Sequence, residues 1–156
     1  MARGGPEDFL ELEGRIAARI EAAVPELAGA VTPLGDPGDM LQTARENRAW
    51  LVPGRTSYDS DKSGRAIDVT QRWQVILTCR NVGNMRSGEP ARRQAGPLIT
   101  KIIQALAGWH PGSPYGLLRI VTPSLAPSWF DGVLMWPLEF ETKFAFMAQT
   151  PMERNP

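Results

Sequence analysis

The sequence is poor in the residues from which most catalytic and metal sites are built. It holds one cysteine, Cys79, and one histidine, His110. A single cysteine excludes a disulfide within the chain and fits a reducing compartment. A zinc site would need mostly carboxylate ligands, which is unusual. The sequence also lacks a phosphate-cradling glycine loop followed by lysine.

Long apolar runs and net charge are absent as well. No stretch approaches the roughly 18 apolar residues of a membrane span, and the N-terminal segment turns acidic where a secretory signal would be apolar, so we expect an intracellular chain without membrane contact. Lysine plus arginine equal aspartate plus glutamate, 17 each, so binding to nucleic acid would need a local patch. The length of 156 residues predicts one domain, with residues 1–6 and 149–156 frayed.

Two long segments alternate between apolar and polar residues, as half-buried strands do. One runs from Ile67 to Asn81 and the other from Val133 to Ala148. We place them at the centre of an antiparallel sheet with one face open to water. Pro137 lies within the second segment and predicts a bulge or a change of partner strand there.

Two amphipathic helices are predicted to cover the other face of this sheet. The first has apolar residues at helical spacing from Phe9 to Val24, should end at Pro25, and is expected to be the longest in the protein. The second is predicted to begin at Pro97, after a loop over residues 82–95, and to end at Gly108. The fold class is therefore α+β, with two amphipathic helices packed on one face of a mostly antiparallel sheet.

The remaining predicted elements are short. They are a strand over Gly29–Leu34, a helix over Met40–Glu46, a strand over Arg48–Arg55 and a strand over Leu117–Thr122, with a turn over Pro123–Asp131. Because Pro53 cannot donate to a sheet ladder, we place its strand at an edge of the sheet.

One polar loop has the first half of a calcium-binding pattern. Asp59, Asp61, Ser63 and Gly64 supply alternating oxygens and a bend, but Thr70 stands where the bidentate glutamate is expected. A solvated turn is the favoured interpretation.

No other residue combination predicts catalysis. Cys79 alternates with core residues, and His110 follows a helix end, where a cationic ring would interact favourably with terminal carbonyls. Glu139, Glu141 and Lys143 form a strand row that a solvent-exposed face with compensating charges explains. We therefore predict no catalytic, cofactor or metal site.

Basic residues gather in two loops, with Arg55, Lys62 and Arg65 in the first and Arg80, Arg86, Arg92 and Arg93 in the second. If both loops project from one end of the sheet, they form a basic rim for phosphates or an acidic neighbour. A merely solvated rim is the alternative. Tyr58 is the one aromatic residue in these loops, which argues against stacking on single-stranded bases.

Five segments carry a family resemblance. They are the helix ending in AAVPEL, the RAWLVPG strand, the TQRWQVILTCRN strand, the AGPLITKIIQALAGW helix and the GVLMWPLEFETKF strand. Together they resemble the tail terminator proteins of long-tailed bacteriophages, and among these the Mu-like prophage branch. The resemblance spans Phe9 to Phe146 and rests on element order, length and local sequence.

The resemblance implies a non-enzymatic virion protein without cofactors. Such a subunit forms a six-membered ring on the end of the tail tube, stops tube polymerisation, and offers a surface for joining to the head. Its partners are its own copies, the tail tube protein and a head-completion or connector protein, with DNA passing through without sequence-specific contact. It resides at the head-proximal end of the virion tail after assembly in the cytoplasm of the bacterial host.

The arginines are the predicted interface residues of such a ring. Candidates for a subunit or tube interface are Arg55, Arg65, Arg80, Arg86, Arg92 and Arg93, and the candidates for lining the opening or facing DNA are Lys62 and Arg86. Another head-tail joining or minor tail protein, a small-molecule-binding α+β domain and an RNA-binding sheet are the alternatives.

Overall fold

The structure is a computed structural model that describes residues 4–35, 47–80 and 89–149. Within these ranges, two helices and a seven-stranded sheet form one α+β domain, as predicted. The helix predicted over Met40–Glu46 and the candidate residue Arg86 lie outside the described residues. In the described part of the chain, no helix is long and apolar enough to cross a membrane.

The elements in chain order are α1 (Leu12–Ala23), a 3-10 turn (Pro25–Leu27), β1 (Val31–Pro33), β2 (Arg48–Pro53), β3 (Ser57–Ser60), β4 (Ala66–Arg80), α2 (Glu89–Leu106), β5 (Arg119–Val121), β6 (Ser128–Phe130) and β7 (Val133–Met147). The strand order is β1-β2-β4-β7-β5, while β3 also pairs with β4 and β6 with β7. Only β1 and β2 are parallel among the described pairs.

The two predicted central strands pair along their whole length. Their register runs without interruption from Ala66 opposite Met147 to Arg80 opposite Val133, so Pro137 causes no bulge on this side. On the other side of β7, β6 pairs up to Met135 and β5 begins to pair at Glu139. Pro137 lies between them, where no donor is required, which confirms the predicted change of partner.

The β6–β7 hairpin was not predicted. Phe130 pairs with Val133 across a two-residue turn, and both turn residues, Asp131 and Gly132, have positive φ, 52° and 77°. Asp-Gly between apolar runs is a strong hairpin signal, because this turn type needs two left-handed residues. The Phe-Asp-Gly-Val stretch in the sequence was therefore sufficient to predict this hairpin.

The helices differ from the prediction in length. Helix α1 has 12 residues and α2 has 18, so the first helix is not the longest. Helix α2 begins at Glu89 rather than at Pro97, which lies inside it. The helix continues through Pro97 because this residue and Arg93, whose carbonyl loses its donor, are both exposed, so water can bind the freed carbonyl.

The core lies between the helices and one face of the sheet. Trp73 and Phe140 pack with Ile16, Ile20 and Ile102, and all five are fully buried. The helices are tied together by a hydrogen bond of 3.0 Å from the Arg19 Nε to the Ala105 carbonyl and by an ion pair between Lys101 and Glu26. The opposite face carries no helix among the described elements, and we call it the helix-free face.

The N-terminal segment is anchored to one end of this core. The ring of Phe9 contacts the rings of Tyr58 and Phe146, with centroids 6.5 and 6.0 Å apart. Gly5 lies so close to Phe146 that a Cβ on it would be 2.1 Å from that ring, and Pro6 is buried. Residues 5–9 therefore belong to the packed structure.

Strand β2 is not the edge strand that was predicted. Strand β1 pairs with it at Ala49, Trp50 and Leu51 and so covers its outer side. Pro53 lies two residues beyond the end of this cover, so its missing N–H faces an open stretch of edge. The argument that a proline without an N–H donor needs an open edge thus holds for Pro53 itself, but not for the rest of β2.

Strands β2 and β3 are two halves of one strand separated by a bulge. Pro53 pairs with Trp73 and Ser57 with Thr70, so four steps along one strand match three along β4. Gly54 allows the close approach, because a Cβ there would lie 3.1 Å from the Arg72 carbonyl oxygen. Because of this extra residue, the backbone groups that point away from β4 belong to odd-numbered residues in β2 and to even-numbered residues in β3.

Candidate interaction surfaces

The single cysteine and the single histidine do not form a catalytic pair. Cys79 is fully buried, and burial raises the pKa of its thiol to about 11. His110 is exposed, and its Nδ1 accepts a hydrogen bond of 3.0 Å from the Gly112 amide. This hydrogen bond ties the ring to the backbone of the loop that follows α2.

The buried thiol gives a testable expectation. At pH 8 Cys79 should not react with a disulfide reagent in the folded protein and should react in full once urea unfolds the chain, since a shielded thiol with a raised pKa yields little thiolate. Thiol titration with and without urea measures this. A variant with an added exposed cysteine, Thr100→Cys, should react at once, and rapid reaction of the native wild-type chain would contradict the burial of Cys79.

The calcium-like loop is a hydrogen-bonded hairpin turn. The Asp61 carboxylate accepts hydrogen bonds from the Ser63 hydroxyl at 2.7 Å and the Arg65 amide at 3.2 Å. The Ser63 hydroxyl, followed by backbone amides, lowers the pKa of Asp61. Asp59 belongs to strand β3 instead. In residues 4–35, 47–80 and 89–149, no group of three potential metal-ligating side chains occurs.

The helix-free face carries a paired charge row. Glu141 lies 3.4 Å from the Arg72 guanidinium, and Glu139 accepts a hydrogen bond of 3.2 Å from the Gln74 amide. Arg72 also approaches Glu139 at 3.8 Å. Glu139 is only 2% exposed, so the prediction of a solvated residue is wrong at this position. Charge compensation, the other half of that prediction, is present.

The two basic loops lie at opposite ends of the sheet. Lys62 and Arg65 lie in the turn before β4, whereas Arg80 ends β4 and Arg92 and Arg93 lie in the first turns of α2. Arg55 lies beside the middle of β4, between Pro53 opposite Trp73 and Ser57 opposite Thr70. The 15 residues of β4 separate Lys62 and Arg65 from Arg80 by about 46 Å. The condition for one continuous basic rim is therefore not met, because the two loops are connected by a full-length strand.

Two concave surfaces lie on the helix-free face. The larger is an open depression of about 630 Å³ over β3, β4 and β7, with Asp59, Asp68 and Lys143 on its walls. The smaller, about 300 Å³, is lined by Ile76, Leu125, Ala126, Ser128, Met135 and Pro137. The smaller one contains no titratable side chain, and neither joins the buried polar groups that define an enzyme pocket.

The outer edges of the sheet expose apolar side chains that the sequence did not single out. Tyr58 on β3 is 66% exposed, and Ile120 on β5 is 44% exposed. Each strand has a single paired neighbour, β4 for β3 and β7 for β5. Both are short edge strands that carry an exposed apolar residue, while β1 beside β2 and β6 beside β7 form the rest of the two edges.

This two-layer α+β architecture is one that virion proteins use. It resembles a chain from a solved structure titled "Virion of native gene transfer agent (GTA) particle", with a TM-score of 0.61 and 15% identity. The match covers 86% of this chain and 94% of the other, which shows a shared fold. No curated protein sequence matches the chain.

A comparison of the sequence with protein families identifies the family over nearly the whole length of the chain. The family model described as "Phage tail terminator protein" matches residues 8–150, so the chain belongs to the phage tail terminator family. This family consists of structural, non-enzymatic proteins. The chain is a tail component of a virion, and its surfaces serve assembly rather than catalysis.

Proposed function

We propose that the protein closes into a homohexameric ring on the head-proximal end of the tail tube. There it stops the addition of tube subunits and presents a surface to a head-completion or connector protein. DNA passes through its opening without sequence-specific contact, and assembly takes place in the cytoplasm of the bacterial host. Membership of the Mu-like prophage branch is part of this proposal and rests on the resemblance of the five segments.

The observation that carries the proposal is the pair of open sheet edges. A cyclic ring needs a heterologous contact, in which one surface of a subunit meets a different surface of its neighbour. Strands β3 and β5 lie on opposite sides of the β4–β7 pair and differ in sequence and charge. Two unlike, oppositely placed surfaces are what such a contact requires.

The mass of the protein in solution tests the ring. Light scattering over a wide concentration range, with and without magnesium, should detect a species of six times the subunit mass, and electron microscopy should place it on one end of purified tail tubes. If the protein stays monomeric at every concentration and also fails to bind tube ends, the proposed function is wrong.

The basic residues remain candidates for particular contacts within this proposal. Arg92 and Arg93 are exposed on α2, and the acidic residues that precede and begin α1 in a neighbouring copy, Glu7, Asp8, Glu11 and Glu13, would complement them. Arg65 and Arg80, at the two ends of β4, and Arg55, in the bulge beside its middle, are further interface candidates. Lys62, or Arg86, is the candidate for facing DNA.

Reversing the two α2 arginines to glutamate should weaken assembly. We expect R92E/R93E to raise the concentration needed for ring formation by about tenfold or more, because like charges would then face each other. The control is Gln94→Glu, which adds a negative charge to the same exposed turn but keeps both arginines. Unchanged assembly of R92E/R93E would show that α1 and Arg92–Arg93 do not meet.

A further inference from the structure

We infer that Leu10 of one subunit docks into an apolar crevice between α2 and β7 of the next copy, with its acidic neighbours facing Arg92 and Arg93. This inference deepens the proposed ring and rests on it. It gives the proposed contact between the acidic N-terminal segment and α2 an apolar anchor. The leucine then supplies the buried centre of the contact, and the charges around it set its orientation.

The crevice lies beside the first half of α2. It encloses about 200 Å³ and is lined by Arg92, Ala95, Gly96, Ile99, Leu134 and Trp136. The side chains of Ile99 and Trp136 pack against the core but remain partly exposed. Two large apolar side chains are thus incompletely covered at a place where the charge in the lining comes from Arg92.

Gly96 keeps the crevice open. Pro97 follows it inside the helix, and a Cβ on the residue before a proline crowds the proline ring when the backbone is helical. Glycine avoids this clash. The space that a side chain would occupy is empty, because a Cβ on Gly96 would meet no atom within 4 Å outside its own stretch of helix. An apolar side chain from outside therefore has access to Ile99 and Trp136.

Leu10 is an exposed apolar residue with acidic neighbours. Its side chain is 51% exposed. Four carboxylates lie within three residues of it, those of Glu7, Asp8, Glu11 and Glu13, and none of the other exposed large apolar residues that the structure describes has more than two. Glu7, Asp8 and Glu13 form no ion pair within the described ranges. A crevice beside two arginines therefore favours Leu10 as the docking side chain.

The turn that carries Leu10 is held in one conformation before any contact forms. The Leu10 amide donates to the Asp8 carboxylate at 2.9 Å, and the Leu10 carbonyl accepts from the Glu13 amide at 3.1 Å. The next residue, Glu11, accepts a hydrogen bond of 3.2 Å from the Tyr115 hydroxyl. A leucine on such a fixed turn loses little conformational entropy when it docks.

Leu10 and the crevice lie far apart on one chain. Leu10 follows Phe9, whose ring contacts that of Phe144, whereas Trp136 borders the crevice. The stretch of β7 from Trp136 to Phe144 spans about 27 Å. Leu10 therefore cannot fill the crevice of its own chain. A contact between two copies is heterologous, as a cyclic ring requires.

Cysteine trapping tests the contact. L10C/I99C, oxidised or treated with a short bismaleimide, should run on non-reducing gels as a ladder of up to six chains, because each chain links to two neighbours and the two positions of one chain are too far apart to bond. Neither L10C nor I99C alone should give the ladder. The matched negative control is L10C/Q104C, whose second cysteine is exposed on α2 about 140° around the helix from Ile99. The native Cys79 is fully buried and takes no part.

The possible results separate the two proposals. A ring by light scattering without a ladder from L10C/I99C would overturn the docked leucine and leave the ring intact. Dimers as the end product of L10C alone would indicate a two-fold contact and also overturn it. Absence of both ring and ladder, in solution and on purified tail tubes, would overturn both proposals.

Truncation of the leucine provides an independent readout. L10A should raise the concentration needed for ring formation about tenfold or more, because buried apolar surface is lost at every contact of the ring. L117A removes the same atoms from a leucine that is 52% exposed and lies outside this contact, so it should change that concentration less than about threefold. If L10A forms rings like the wild type but no longer binds tube ends, Leu10 meets the tube protein instead of a second copy, and the inference is wrong.

Discussion

Trp73→Ala is expected to lower the free energy of unfolding by about 4 kcal/mol, the largest effect that we expect from a single truncation among the described residues. Trp73 is fully buried at the middle of β4 and is the largest such side chain among the described residues. Its removal leaves a cavity against Phe140 that neighbours on two rigid layers cannot fill. Since domains of this size are stable by about 5–15 kcal/mol, much of the stability would be lost.

Urea denaturation followed by circular dichroism measures this change. Leu117→Ala is the matched control, because Leu117 is 52% exposed and its truncation should cost less than about 0.5 kcal/mol. A similar midpoint for Trp73→Ala and Leu117→Ala would contradict the central position of Trp73 in the core.

Gln71→Leu is expected to cost about 2–4 kcal/mol, although it replaces a polar group in the core with an apolar one. The Gln71 side chain is 2% exposed. It accepts a hydrogen bond from the Trp73 indole and donates one to the Phe9 carbonyl, each at 2.9 Å. Leucine would leave the buried Trp73 indole N–H and the partly buried Phe9 carbonyl without this hydrogen bond, and each loss costs about 1–3 kcal/mol.

The same substitution should loosen the N-terminal segment before the rest of the protein. Hydrogen exchange at residues 5–10 should become faster in Gln71→Leu, while exchange in β7 keeps its rank order. In a Trp73→Phe background the added cost of Gln71→Leu should fall by about half, because only the Phe9 carbonyl then loses its partner. Strict additivity of the two changes would disprove the bridging role of Gln71.

Periodicity predicted the parts of the fold in which one period extends over many residues. The alternation in β4 and β7 places their apolar residues on the core face, and the spacing in α1 leads to its buried stripe. The prediction starts α2 at Pro97, because proline favours the first turn of a helix, and so omits residues 89–96. The buried residues Ala91 and Ala95 continue the pattern upstream, but alanine is a weak periodic signal.

The interaction surfaces depended on information that periodicity does not contain. The positive charge of each loop follows directly from its arginines. The end of the sheet on which a loop lies depends on how many strands the chain has crossed before reaching it. Open edges depend on which strands pair, and the predicted strand over Gly29–Leu34 carries no sign that it covers β2. Tyr58 and Ile120 stand out only when topology and hydrogen bonding are known together.

The bulge at Gly54 makes the number of residues between Pro53 and Ser57 more important for the fold than their types. Before the bulge, odd-numbered residues such as Leu51 point their backbone groups outward, and after it even-numbered ones such as Tyr58 do. Deleting one residue here would exchange the two sets, turning the Tyr58 backbone toward β4 and the Asp59 backbone to the outer edge. A deletion of one residue would thus change this edge of the sheet more than most substitutions do. We therefore expect related proteins to keep the number of residues between Pro53 and Ser57 while the residue types vary.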